Sequence, residues 1–162
     1  VEENPHSEPK TQLASFIGTQ NNDLRRAFVR AIQAYNHPEI QLKHVHGDEY
    51  LRELSRTTFT LCPRGGPNPG GFSYRVFEAI QARSIPVVFV DVLTFPMAEV
   101  VDWTKLCLRL PESMVTDIAE VHRRLLAFPV AEAMEEIERA HEAFSVRGVQ
   151  RYVFTRTQAM KV

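Results

Sequence analysis

Two cysteines, Cys62 and Cys107, in 162 residues are too few for a disulfide framework, although a single bridge stays open. Hydrophobic runs are short as well: none approaches the ~20 residues needed to span a bilayer, and no secretory leader pattern stands at the start. Charge of one sign is missing, since 19 Lys and Arg stand against 20 Asp and Glu, a net of -1. That balance gives no electrostatic reason to expect nucleic acid or an anionic membrane as partner. Glycine is scarce, with seven residues. The turn after Phe16 offers only Gly18 where a dinucleotide fingerprint needs Gly-x-Gly-x-x-Gly, and no Gly-Lys-Ser/Thr forms a Walker loop.

What is present is an ordinary globular composition, 44% hydrophobic and 24% charged, with room for one domain. Both cysteines fall near strand ends and read as buried free thiols. Residues 1–10, VEENPHSEPK, are polar and without periodicity, a disordered lead-in or interdomain linker, and the domain is expected over 11–162. A start at Val1 reads as an excised or processed piece.

The glycines concentrate in one place. Phe59 to Val90 reads as a buried strand (Thr58 to Cys62), a Gly- and Pro-rich loop, a helix (Ser73 to about Arg83) and a second strand (Ile85 to Val90). Such a loop sits at the carboxyl edge of a parallel sheet and runs into a helix N-terminus with spare N–H groups, a setting for an anion. Arg64 on the loop and Arg75 in the helix's first turn offer two guanidinium forks to phosphate oxygens. Ser73 is a competent N-cap whose hydroxyl faces either the helix or a ligand, and Glu78, deeper in the helix, is positioned for a sugar or ribose diol.

The flanking segments alternate strand and helix. Leu13 to Gly18 reads as a strand, and Asn21, Asn22 and Asp23 as N-caps for a helix over Leu24 to Tyr35 with Arg25 and Arg26 in its opening turn. A second strand is expected over Ile40 to His46, with His44 and His46 on one face. A metal reading of that pair lacks a third ligand nearby and is set aside. A helix over Asp48 to Arg56 precedes the central unit. Beyond it, Asp91 ends a strand, where it either meets a sugar hydroxyl or caps a loop. Val92 to Trp103 carries turn and short-helix signals and is a candidate cleft wall, with Trp103 read as core. A strand over Leu106 to Leu110 follows, then helices over Ser113 to Phe128, Ala131 to Phe144 and, last, Gly148 to Val162. The pattern implies an α/β three-layer sandwich with a mostly parallel sheet of about five strands.

Cys62-Pro63-Arg64-Gly65, then Ser73-x-Arg75-x-Phe77-Glu78-Ala79, Ile85-Pro86-Val87-Val88 with Asp91, and Val101-Asp102-Trp103 resemble the C-terminal half of the exostosin family, glycosyltransferase family 47. The resemblance extends more weakly from about Phe16 to Phe144. It implies one half of a GT-B fold, a Rossmann-like domain that holds a nucleotide-sugar donor. By resemblance the donor is a UDP-sugar, Arg64 and Arg75 act at its diphosphate as the catalytic pair, and Arg25, Gly65, Ser73, Glu78 and Asp91 complete the binding set. It also implies inverting transfer to a glycan hydroxyl, with acceptor groove and general base supplied by an N-terminal domain outside these residues, and for a eukaryotic member a membrane-anchored Golgi lumenal setting, otherwise a cytoplasmic one. The alternative is a catalytically inactive scaffold that binds a partner glycosyltransferase.

No Asp-x-Asp triplet occurs. Arg side chains, loop N–H groups and a helix dipole are thus expected to stabilise the departing diphosphate without metal or other cofactor. Where family members commonly carry Gly before Ile-Pro-Val, this chain has Arg83-Ser84, and its GGPNPGGF loop is longer than usual.

Overall fold

The computed structural model describes residues 9–66, 73–92, 94–145, 148 and 150. The elements are β1 (Gln12–Ile17), α1 (Asp23–Tyr35), β2 (Ile40–Lys43), α2 (Asp48–Ser55), β3 (Thr57–Pro63), α3 (Arg75–Gln81), β4 (Ile85–Phe89), α4 (Trp103–Leu106), β5 (Leu108–Leu110), a 3-10 turn (Glu112–Thr116), α5 (Ile118–Leu126) and α6 (Val130–Ala143). The remainder of the lead-in (1–8), the Gly/Pro loop over 67–72, Leu93 and nearly all of the expected last helix lie outside the described residues.

The five strands are ordered β2-β1-β3-β4-β5, and all pairs are parallel. The chain steps outward from β1 to β2 and returns across it to β3, so the direction of winding reverses between β1 and β3. At such a reversal the flanking connections leave on opposite faces and open a crevice at the strands' carboxyl ends. Helix α1 packs with the 3-10 turn and α5 on one face. On the other, α3 packs against α2 and α6, and α4 against α6. The result is the expected Rossmann-like three-layer sandwich, the architecture of one half of a GT-B fold.

Alternation along the strands separates the layers. Phe16 meets Phe28 of α1 edge-on, with centroids 5.6 Å apart, while Ile17 faces the opposite way and clusters with Leu54 and Ala82. Phe28 also touches Phe89, and Phe59 touches Phe128, so aromatic side chains fill the α1/α5 layer. Buried hydroxyls are paired: Ser15 with Thr57 and Thr60 with Ser84. Cys62 and Cys107 are free and buried, as the composition suggested. Trp103 is buried, stacks on Phe95 at 4.4 Å and donates its Nε1–H to the Pro96 carbonyl, which makes it a brace of the core.

Several boundaries differ from expectation for local reasons. Strand β2 ends at Lys43, paired with Ile17, because β1 stops there and an edge strand has no other partner; His44 and His46 therefore lie in the following loop. The expected single helix from Ser113 splits because the Asp117 carboxylate accepts from the Glu120 N–H and caps a new start. Asp102 caps α4 in the same way, which delays β5 to Leu108. Helix α3 ends as a Schellman motif: Ser84 N–H bonds the Ala79 carbonyl and Arg83 N–H that of Ile80, with Arg83 left-handed at φ 54. That conformation suits glycine, so the Arg83 departure noted in the sequence leaves the helix end in the geometry a glycine would give. Lys10 Nζ donates to the Arg83, Ser55 and Thr57 carbonyls and holds this corner against β3.

Candidate donor site at the carboxyl edge

Three connections meet at the carboxyl ends of β1 and β3: the loop from Gly18 to Asn22, the stretch Arg64 to Gly66, and the segment Ser73–Tyr74 before α3. Asn22 N-caps α1, accepting from Arg25 N–H at 2.8 Å, and its Nδ2 reaches the Arg64 and Gly65 carbonyls. Asn21 Nδ2 also reaches Gly65. Cap and crevice are thus formed by the same residue.

Arg25, only 5% exposed, fastens the crevice from inside. Its Nε donates to the Arg64 carbonyl at 3.1 Å, Nη2 to the Pro63 carbonyl and the Ser73 hydroxyl, and Nη1 to the Thr19 carbonyl. One guanidinium therefore ties all three connections together. Burial, and then the positive charge of Arg75, hold its pKa below the usual arginine value.

Arg75 opens α3, so the helix starts two residues later than expected. Ser73 still serves it, its Oγ accepting from the Arg75 N–H at 3.3 Å. The Arg75 guanidinium lies 5.6 Å from the centre of the Phe16 ring and that of Arg25 lies 6.0 Å from it, so two cations flank one aromatic side chain. Arg75 Nε donates to Tyr50 Oη at 3.2 Å, and Tyr50 donates in turn to Glu78 Oε2 at 2.5 Å. Burial and the bond to Glu78 push the Tyr50 phenol up to about 12. Arg75 Nη1 is sealed from solvent and has no hydrogen-bond partner among the described residues. It points toward Gly18, where a Cβ would come within 2.9 Å. A cavity of about 530 Å³, within the range of small-molecule sites, opens there between Gly18, Thr19, His44, Gly47, Tyr50 and Arg75.

Among the sequence-predicted residues, the structure brings Arg25, Gly65, Ser73, Arg75 and Glu78 into one connected set. The side chains of Arg64 and Asp91 belong to a different one. Arg64 Nε donates to Glu112 Oε1 at 2.5 Å and its Nη1 to the Gly66 carbonyl, while Asp91 Oδ1 accepts from the Glu112 N–H, the loop-capping alternative read from the sequence. The guanidinium that shares the Phe16 ring with Arg75 is that of Arg25, while the Arg64 side chain is engaged by Glu112. From the sequence, Asn22 reads as a cap and Gly18 as a turn, neither as a site residue, and Tyr50 is not singled out. Their signal was positional, because each lies in a βα connection or the helix turn just after one, at the sheet's carboxyl edge.

Two solved structures share this chain's fold at low identity. An α1,3-fucosyltransferase matches with a TM-score of 0.51 at 18% identity, over 82% of this chain and 40% of that one. A sucrose-phosphate synthase from Thermosynechococcus elongatus matches with 0.53 at 15%, over 96% and 47%. The fold is that of a glycosyltransferase-like Rossmann domain. The family model of the exostosin GT47 domain matches residues 1–125, and the chain belongs to that family. Relatives include a probable glucuronosyltransferase of Oryza sativa subsp. japonica, 29% identical over 131 residues, covering 70% of this chain and 31% of its own length. A probable beta-1,4-xylosyltransferase of Arabidopsis thaliana is 28% identical over 94 residues, 58% of this chain and 21% of its own length. An Exostosin-1 homolog of Caenorhabditis elegans is 28% identical over 102 residues, 63% and 26%. The chain spans less than a third of the length of these relatives.

Proposed function

We propose that this domain binds the nucleotide-sugar donor, a UDP-sugar, of an inverting glycosyltransferase that acts on a glycan hydroxyl. The observation that carries the reading is Arg75 Nη1, a buried cationic donor without a partner among the described residues, directed at Gly18 beside the winding reversal of a parallel sheet. Two guanidinium groups against one ring repel each other, and a diphosphate that meets the Arg75 fork from the cavity lined by Thr19, Gly47 and Tyr50 relieves that repulsion. Arg75 is then the group that meets the charge developing on the leaving diphosphate, and it does so with no reorganisation because Tyr50 already orients it. Arg25 acts behind it by holding Gly65 and Ser73 in place. Glu78, engaged by Tyr50, is available to a sugar or ribose hydroxyl through its other oxygen. Arg64 joins the diphosphate by exchanging Glu112 for phosphate.

The proposed chemistry uses no metal: cationic side chains and loop amides carry the leaving group. Acceptor binding and proton removal fall to a further domain of the full protein, so the chain by itself binds donor weakly and transfers no sugar. Titration of the chain with UDP, GDP and ribose 5-phosphate, followed by backbone amide shifts, tests the reading. Shifts at Gly18, Gly65 and Ser73 with UDP, and smaller ones with ribose phosphate, support it. Absence of nucleotide binding together with capture of a second glycosyltransferase favours the scaffold role, for which the engagement of Arg64 by Glu112 is the supporting observation.

A further inference from the structure

At the amino end of the sheet, opposite the donor crevice, α1 ends at Tyr35 and the chain turns through Asn36, left-handed at φ 48, into His37-Pro38-Glu39 before β2 begins. This turn is rigidly held. The Glu39 carbonyl accepts from Ala14 N–H, and Gln12 Nε2 donates to the Pro38 and Glu39 carbonyls. His122 of α5 packs against it, nearly buried, its ring centroid 4.5 Å from that of His37. One ligand atom each from His37, Glu39 and His122 lies within 4.8 Å of the others.

We propose that His37, Glu39 and His122 bind a divalent transition metal ion of the Zn²⁺ class. Two imidazoles and one carboxylate form a nitrogen-rich set that suits Zn²⁺, Co²⁺ or Ni²⁺ and not the all-oxygen preferences of Mg²⁺ or Ca²⁺. The spacing fits: ligand atoms around tetrahedral zinc stand ~3.3 Å apart. Here His122 Nε2 is 2.9 Å and His37 Nδ1 3.9 Å from Glu39 Oε2, and side-chain rotations that release His37 Nδ1 from the Glu39 N–H, 3.3 Å away, admit an ion between them. His122 is already oriented as a metal-bound imidazole is, because its Nδ1 lies 2.9 Å from Tyr35 Oη and its Nε2 faces the carboxylate. An outer hydrogen bond of that kind fixes ring and tautomer in metal sites. Partial exposure of the His37 and Glu39 side chains gives the ion an entry path and leaves a fourth position for water or an exogenous ligand. The ion joins α5 to the α1–β2 turn at the far end of the sheet from the diphosphate site, and it takes no part in the sugar chemistry.

The test is titration of chelator-stripped chain with Zn²⁺ by calorimetry and with Co²⁺ by visible absorption, comparing wild type with His37→Ala, Tyr35→Phe and a His44→Ala control. One ion per chain is expected, with affinity lowered at least tenfold by His37→Ala, about tenfold by Tyr35→Phe through the lost outer bond, and unchanged by His44→Ala. The partial exposure of His37 keeps its variant folded, which circular dichroism verifies. Absence of stoichiometric binding in the wild type, or an affinity that His37→Ala leaves within about twofold, overturns the proposal.

Discussion

Tyr50 donates a 2.5 Å hydrogen bond to Glu78 while accepting one from Arg75, so the carboxylate reaches the guanidinium only through a phenol. This arrangement keeps an acid next to the proposed anion site without letting it neutralise the cation. Tyr50→Phe removes the spacer and frees Glu78 to pair directly with Arg75. The expected outcome is a loss of about 1–2 kcal/mol in urea unfolding, the range for one charge-assisted hydrogen bond. UDP affinity should fall about fivefold in the same variant.

Arg25 is the mechanical counterpart, since its fork alone links the connections after β1, after β3 and before α3. Lysine retains the charge and loses the fork. Arg25→Lys is therefore expected to cost about 2–3 kcal/mol in urea denaturation through buried carbonyls left without donors. Hydrogen exchange should rise at Gly65 and Ser73 more than in β4.

Gly18 and Gly66 separate close approach from mere loop position. A Cβ on Gly18 would lie 2.9 Å from Arg75 Nη1 and 3.0 Å from Phe16 Cζ, whereas one on Gly66 meets nothing within 4 Å among the described residues. Gly18→Ala is expected to destabilise by about 1–3 kcal/mol as an overpacked site and to displace Arg75, while Gly66→Ala stays within about 0.5 kcal/mol. Thermal unfolding of the two variants side by side checks this.

Three buried acids have pKa values raised by burial: Cys62 and Cys107 from 9.0 to about 12, and Tyr50 from 10.0 to about 12. Each holds its proton longer in the folded chain than in the unfolded one, so its contribution is complete below the unfolded pKa and disappears as pH rises through the folded value. Lys10, lowered to about 8 by burial, works in the opposite sense between about 8 and its model-peptide value. With the three raised groups against the lowered Lys10 and Arg25, and the two thiols acting from about pH 9, stability should decline from about pH 9 toward pH 12. Denaturation midpoints across that range test the sign, and Ellman's reagent at pH 8 should label neither thiol until the chain unfolds.

Much of this architecture was legible because strand and helix periodicities are strong where layers are buried on both sides. The run Thr-Leu-Cys-Pro before Arg64 and Ile-Pro-Val-Val after Ser84 fixed the central βαβ unit, and the count of five strands followed. Boundaries set by partners or caps were less visible. Nothing in Ile40 to His46 announces that β1 will stop pairing at Lys43, and Asp117 within an apolar helical pattern looks like an exposed position until its carboxylate takes the Glu120 N–H. In the site, residue types pointed to cations at the sheet edge. Which cations meet depends on side-chain direction: Glu112, almost fifty residues downstream, holds Arg64, while Phe16 gathers Arg25 and Arg75.

The central claim, that Arg75 waits for a diphosphate, is tested most directly by Arg75→Met, which keeps the side chain's length and removes its charge. UDP binding and urea stability are measured on the same preparations. A cation built for an anion predicts that UDP affinity drops at least tenfold while stability holds or rises, because a buried donor without a partner among the described residues has been removed. Unchanged UDP affinity, or a stability loss of several kcal/mol with binding intact, would mean that the guanidinium is a structural strut and that the donor lies elsewhere.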